Sequence, residues 1–174
     1  MTQIPSARAA FIDPKTGLIT REWYQFLFQL SLDPMRCKLT EDGGFATKLT
    51  NKSGAASIKG YLVTASDSTN NAVKNCAIDV PDAIGVFLES GVADGAEAWI
   101  VVSGRADVYF SGSTTRGHLA RVGLTIDTGE VAGQAISEPY PTSPFATDKH
   151  FAEIGHVLES RTGAGLAKCV LHFN

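Results

Sequence analysis

The chain has 174 residues, 44% of them hydrophobic and 19% charged, which is enough apolar material for one folded domain with an added segment. The formal net charge of −3 gives no excess of Lys and Arg, so the electrostatics typical of nucleic-acid binding are excluded. No apolar run approaches the roughly 18 residues of a membrane helix, and the start has no hydrophobic signal segment. We therefore expect a folded protein made in a cytoplasm, with neither a nucleic acid nor a membrane as partner.

Residues 1–44 are predicted to form an extended arm followed by one short helix. Residues 1–13 show no helical period, and Pro, Lys, Thr and Gly at 14–17 form a turn sequence. Thr20 is a favourable N-cap, and the apolar pattern that follows it stops at 33–34, Asp-Pro. The spacing predicts a helix of about three turns.

The predicted helix carries apolar side chains on more than one side. Its spacing matches two heptads of a left-handed coiled-coil seam, at Ile19, Trp23, Phe26 and Leu30. A helix this short is marginal alone, so it packs either on its own β-domain or on another copy or protein. We favour the second alternative, and the predicted interaction residues are Ile19, Trp23, Tyr24, Phe26, Leu27, Phe28 and Leu30.

Residues 45–174 are predicted to form a small all-β sandwich or barrel. Short β-rich runs separated by turn signals occur at 57–64, 73–80, 84–90, 96–102, 105–110, 120–122, 131–137, 151–159 and 166–173. Ser103 and Gly104 separate two of these runs, which predicts a two-residue β-hairpin at that point.

Residues that could bind a metal ion or catalyse a reaction are scattered along the sequence. The histidines, His118, His150, His156 and His172, lack the spacing of a zinc site. The acidic residues Glu89, Asp94, Glu97 and Asp107 are close in sequence, and paired acids cleave glycosidic bonds, but turn and strand positions commonly carry solvated charge. Three widely spaced cysteines, Cys37, Cys76 and Cys169, predict reduced thiols. We expect a chain that is not an enzyme, with no metal and no cofactor.

Residues 11–27 resemble a segment near the N terminus of tailed-bacteriophage structural proteins, in which an extended run turns into a short helix. The matching positions are Ile12, Asp13, Thr16, Gly17, Ile19, Thr20, Trp23 and Phe26. The resemblance implies attachment and assembly on a virion, often as a trimer.

A second resemblance is to the small β-domain of phage capsid decoration ("cement") and head-fibre proteins. It rests on residues 86–92, on a G-x-A-x-V strand at 104–108, and on the runs 154–160 and 170–173. It implies a virion protein, assembled in the host cytoplasm, that decorates or stabilises the particle by contact with the major capsid protein or another virion protein. We expect a homotrimer, because threefold packing of the helix would bury Tyr24 and Phe28.

The aromatic N-terminal helix departs from the cement pattern and leaves other assignments open. One is a tail, neck or fibre-attachment component of the virion. Another, of a different class, is a carbohydrate-binding or polysaccharide-degrading domain, and surface glycan binding is compatible with either.

Overall fold

The computed structural model describes residues 5–6, 9–32, 36–125, 127, 129, 131–140 and 152–172, with the side chains of 28–32 outside the description. The chain divides into two units, Met1–Arg36 and Cys37–Asn174. The described residues of the first unit contain one helix, and those of the second form a ten-stranded sheet. The predicted mainly β fold with one short helix is confirmed.

The helix α1 spans Arg21–Leu32. The strands are β1 (Cys37–Leu39), β2 (Gly44–Asn51), β3 (Leu62–Ala65), β4 (Ala72–Asn75), β5 (Gly85–Phe87), β6 (Glu97–Phe110), β7 (Leu119–Val122), β8 (Ala135–Glu138), β9 (Glu153–Val157) and β10 (Gly165–Leu171). No helix in the described part of the chain is long and apolar enough to cross a membrane.

The ten strands belong to one sheet whose pairings close into two rings that share β6. In the first ring, β2, β4, β3 and β5 lead back to the first half of β6. In the second ring, β10, β9, β7 and β8 lead back to its second half, where Phe110 pairs with Ala135. The connectivity is therefore that of closed barrels rather than of the two separate sheets of a sandwich.

Strand β6 continues through the position where the sequence predicted a hairpin, so the hairpin prediction is wrong. Gly104 has φ +78°, a conformation that glycine adopts at little cost. At this point β6 changes partners: β2 pairs with the residues from Glu97 to Gly104, and β10 pairs with those from Gly104 to Phe110. The glycine bends a shared strand instead of reversing the chain.

Strands β1 and β2 were not predicted from the sequence, and residues 37–44 were expected to belong to the N-terminal segment. They belong to the sheet of the second unit, where β1 pairs with β2 and β2 pairs with β6. The buried positions at the start of β2 are the small residues Gly44 and Ala46, while Phe45 between them is exposed. Small core residues give a weak hydrophobic alternation, and this explains the omission.

Strands β3 and β5 of the first ring are buried on both faces. On one face Leu62, Val86 and Val101 belong to a large core that extends into the second ring. On the other face their neighbours Val63 and Phe87 belong to a smaller core. Burial on two faces explains why these strands read as continuous apolar runs instead of alternating ones.

A buried arginine of β7 links that strand to β8 in the second ring. The side chain of Arg121 is 1% exposed, and its guanidinium donates to both carboxylate oxygens of Asp127 at 2.7 Å and to Glu138 at 2.9 Å. Burial acts to lower the pKa of Arg121, but the hydrogen bonds to the two carboxylates outweigh it and raise the pKa above its usual value. The charge is therefore retained inside the fold.

Replacing Gly104 by Ala should destabilise the second unit. A Cβ at this position would lie 2.7 Å from the Gly43 carbonyl oxygen, in a backbone conformation that L-residues disfavour. We expect a loss of about 1–3 kcal/mol in the free energy of unfolding, measured by urea denaturation. Gly112→Ala is the matched control because its Cβ meets nothing within 4 Å. Equal stability of the two variants would contradict the role given to Gly104.

Candidate functional site

Residues 11–20 form a small hairpin ahead of the helix. Ile12 and Ile19 pair as an antiparallel bridge. Gly17, at φ +69°, donates its N–H to the Asp13 carbonyl at 2.8 Å, and the Asp13 carboxylate accepts a bond from a backbone N–H of the turn. The predicted turn at 14–17 is confirmed. These contacts give structural roles to Ile12, Asp13, Gly17 and Ile19.

Thr20 ends the hairpin and starts the helix. Its carbonyl accepts the N–H of Tyr24 at 2.9 Å, so it occupies the predicted N-cap position. Its hydroxyl donates to the Ala10 carbonyl at 2.7 Å and thereby ties the helix to the preceding segment. Ile19 lies before the helix in extended backbone, so a helical seam would begin at Trp23 rather than at Ile19.

Trp23 joins the extended segment to the helix. Its indole N–H donates to the Ala9 carbonyl at 3.0 Å. The ring packs edge-on against Phe11 and Phe26, with centroid distances of 5.5 Å and 5.8 Å. Edge-on aromatic pairs are favourable, and a partly buried indole N–H needs an acceptor, so this arrangement fixes the segment. Trp23 is therefore a folding residue of its own unit.

The first unit nevertheless exposes much of its apolar surface. Among the described residues, twelve large hydrophobic side chains are exposed, and six of them lie at positions 11–27: Phe11, Ile12, Leu18, Ile19, Tyr24 and Leu27. Single exposed hydrophobics are normal, but such a concentration on a short segment is typical of an interaction surface. We call these six residues the N-terminal apolar surface.

The predicted interaction residues fall into three groups. Ile19, Tyr24 and Leu27 are exposed, Trp23 and Phe26 are half-buried, and the side chains of Phe28 and Leu30 lie outside the described residues. The exposed residues Phe11, Ile12 and Leu18 were not among the predicted interaction residues, because helical spacing does not extend to the segment before the helix. The sequence feature that could have indicated them is a pair of adjacent apolar residues on each side of the turn at 14–17.

Three of the four acidic residues considered for glycoside cleavage, Asp94, Glu97 and Asp107, have basic partners. Glu97 lies 3.8 Å from the Lys48 ammonium. The Asp107 carboxylate lies 2.7 Å from Lys59 and 2.8 Å from Lys168. Burial acts to raise the pKa of Asp107, but hydrogen bonds and charge from the two lysines outweigh it and lower the pKa. A general acid needs the opposite shift, so Asp107 is suited to an ion-pair network and not to proton donation.

The cysteines form no disulfide among the described residues. Cys37 is exposed, whereas Cys76 and Cys169 are buried. Burial raises the pKa of both buried thiols to about 12, with a smaller contribution from nearby carboxylates. A thiol with so high a pKa is a poor nucleophile, and these two side chains act as core residues.

The histidines are not all isolated. His118 lies 3.2 Å from the Ser137 hydroxyl through Nδ1, and His150 lies outside the described residues. His156 and His172, however, are neighbours whose ring centroids are 4.9 Å apart, beside the buried carboxylate of Glu153. The sequence did not reveal this group, because the three residues have no recognisable spacing.

No protein-family model matches the sequence. The search of curated proteins gives no match either. Among solved structures, the chain is similar to the crystal structure of the head fibre gp8.5 N base of bacteriophage phi29, with a TM-score of 0.46 and 13% sequence identity. The aligned region covers 73% of this chain and 92% of the phi29 chain.

Replacing Phe11 by Ala should expose the Trp23 ring to water, because the two rings pack against each other. The chain has two tryptophans, so a Trp99→Phe background isolates the Trp23 emission. We expect a red shift of the fluorescence maximum and easier quenching by acrylamide. Leu18→Ala, at a position 69% exposed, is the control and should leave the spectrum unchanged. An unshifted spectrum in the Phe11 variant would contradict the packing described.

The Asp107 ion pairs should make stability depend on acid pH. The pKa of Asp107 is lowered from 3.8 by folding, so the unfolded chain binds the proton more readily. The stabilisation is thus complete above about pH 4 and is lost as the pH falls through the lower folded pKa. Asp107→Asn should be less stable at pH 7 and should lose less stability on acidification, as measured by urea denaturation at several pH values.

Glu97→Gln is the control for Asp107, because its carboxylate is 53% exposed and 3.8 Å from its lysine. Exposed pairs contribute little to stability. A wild-type acid profile in the Asp107 variant, or an equally flattened profile in the Glu97 variant, would show that the network around Asp107 is not responsible.

Proposed function

We propose that this chain is a structural protein of a tailed-bacteriophage virion, of the capsid cement or head-fibre type, that acts through protein–protein contact. The observation that carries the proposal is the N-terminal apolar surface, which exposes six large hydrophobic side chains on a short segment. The segment is also the one whose motif resembles the attachment segment of phage structural proteins.

The structure gives physical roles to the residues of that motif, which supports the resemblance. Asp13 and Gly17 form the turn, Thr20 starts the helix, and Trp23 holds the extended segment through its indole N–H. The motif thus preorganises the neighbouring apolar side chains before they meet a partner. Preorganisation reduces the entropy lost on binding, as a docking element requires.

The proposed partner is another virion protein, and the major capsid protein is our first choice. Aromatic and large aliphatic side chains provide most of the binding energy in protein interfaces, and the N-terminal apolar surface is rich in both. Its exposed members include Phe11, Leu18 and Tyr24. The second unit has its own cores and its own ion pairs, which suits a stable body displayed on a particle.

The alternative among virion structural proteins is a tail, neck or fibre-attachment component, which would also bind its partner through an exposed apolar surface. The location of the chain in the particle separates the two. A glycan-cleaving enzyme is the alternative of another class, and the ionised, lysine-paired state of Asp107 weighs against it. We propose no catalytic activity, while glycan binding by the second unit is compatible with a structural role.

The first test is incubation of the purified full-length chain with purified capsids and with host polysaccharide. Sedimentation with capsids, without release of sugar, is the expected result. Sugar release, or absence of the chain from virions analysed by mass spectrometry, would contradict the proposal.

A triple substitution of exposed residues, Leu18→Ser, Tyr24→Ser and Leu27→Ser, should prevent incorporation into particles. Burying a large apolar side chain contributes roughly 1.5–3 kcal/mol, and about 1.4 kcal/mol is a factor of ten. We expect binding to capsids to weaken by about a hundredfold or more, measured by quantitative co-sedimentation. The Trp23 contacts remain, so the first unit keeps its fold.

The matched control carries Leu39→Ser, Val131→Ser and Tyr140→Ser, three exposed apolar positions of the second unit. It should bind as the wild type does. If the control fails to bind while the first triple variant binds normally, the docking surface lies on the second unit and our assignment is wrong.

We also propose a homotrimer, because threefold contact would cover apolar side chains of the first unit such as Tyr24 and Leu27. Sedimentation equilibrium of the full chain should then give a species of three times 18.5 kDa. A monomer at micromolar concentration would exclude the trimer and leave these side chains for the virion partner.

A further inference from the structure

Three side chains of the second unit that can bind metal converge at one place. The Nε2 atom of His156 lies 3.7 Å from Oε1 of Glu153, and the Nε2 atom of His172 lies 3.5 Å from the same oxygen. One ligand atom from each residue lies within 4.8 Å of the others. We propose that Glu153, His156 and His172 form a binding site for Zn²⁺.

The backbone explains how distant residues meet. Strands β9 and β10 pair with His156 opposite Val170, and the N–H of His172 donates to the Ile154 carbonyl at 3.0 Å. The two histidines therefore lie on adjacent segments. Their separation of 16 positions in sequence resembles no zinc motif, and this is why spacing alone failed to detect the site.

A bulge in β9 brings Glu153 to the same place. In a regular strand, residues three apart point to opposite faces. The register against β7 shifts by one residue between Ala120 and Arg121, so β9 has one extra residue between Glu153 and Gly155. Gly155 has φ +151°, and a Cβ there would collide with the Val170 carbonyl. The glycine thus permits the bulge that places Glu153 beside both histidines.

Two of the three distances between the ligand atoms fit a tetrahedral ion, and the third is no longer than 4.8 Å. Zinc bonds to histidine nitrogen and carboxylate oxygen are about 2.0–2.2 Å long, so neighbouring ligand atoms lie about 3.3–3.5 Å apart. The two carboxylate-to-imidazole distances, 3.5 Å and 3.7 Å, are within a few tenths of an ångström of that range. The histidine side chains are 44% and 43% exposed, which leaves them free to adjust and leaves room for a water as fourth ligand.

The chemistry of the three ligands favours a transition-metal cation. The carboxylate of Glu153, with a side chain 5% exposed, supplies negative charge in a partly dehydrated position. Imidazole ligands select zinc and similar transition metals over Mg²⁺ and Ca²⁺, which prefer oxygen.

The ion would join β9 to the end of β10. Because both elements belong to the second ring, bound Zn²⁺ should stabilise the folded state by mass action and raise the melting temperature. This inference does not depend on the proposed virion role.

The test uses the full-length chain without a polyhistidine tag, titrated with Zn²⁺ by isothermal calorimetry. We expect one site per chain with a micromolar or lower dissociation constant, and no binding of Mg²⁺ or Ca²⁺. Loss of a group that only hydrogen-bonds to a metal ligand weakens metal binding about 10–100-fold, so loss of a ligand itself, in His156→Ala or His172→Ala, should weaken it by about a hundredfold or more. His118→Ala, outside the site, should bind zinc as the wild type does.

A second measurement, made on the wild-type chain, tests the site even if the alanine variants fail to fold. In the wild-type chain, imidazole nitrogen NMR signals of His156 and His172 should shift together on zinc addition while those of His118 remain unchanged. Absence of saturable zinc binding below about 1 mM, or wild-type affinity in both alanine variants, would overturn the proposal. The two histidines would then serve only as ion-pair partners of Glu153.

Discussion

The architecture of the second unit depends on one constraint: strand β6 must supply hydrogen-bonding partners to two rings at once. A strand of 14 residues can do so only if it changes direction where its partners change, and Gly104 provides the bend. On each side of that residue a different set of strands closes, so neither ring leaves β6 unpaired. The large core contains residues of both rings, so the fold has little tolerance for a shift of register.

The first unit is held together differently, because it has too few residues to bury its own apolar side chains. Hydrogen bonds from Asp13, Gly17 and Thr20, and the indole bond of Trp23, fix its backbone instead. The apolar residues left outside this framework are preorganised rather than buried. An element of this kind gains stability when a partner covers it, and this is the physical basis for assigning a docking role to the N-terminal apolar surface.

Local patterns allowed the fold class, the turn at 14–17 and the helix to be predicted from sequence, because turn residues and the N-cap act over a few positions. The pairing of strands that are distant in sequence could not be predicted from such local patterns. The bend at Gly104 was interpreted as a hairpin because Ser-Gly between apolar runs has the same local signature in both structures. The group of Glu153, His156 and His172 depends on strand register and on a bulge, which leave no mark in sequence spacing. Trp23 was predicted to be an interaction residue, and the structure shows that its indole is engaged within its own unit.

Photo-crosslinking inside the virion tests the central claim most directly. A benzophenone amino acid at position 24, within the N-terminal apolar surface, is compared with the same probe at position 39, on an exposed position of β1. Our account predicts that the probe at 24 crosslinks to another virion protein or to another copy of the chain, while the probe at 39 does not. Efficient crosslinking from position 39 together with none from position 24 would show that the second unit makes the contact and would contradict the account.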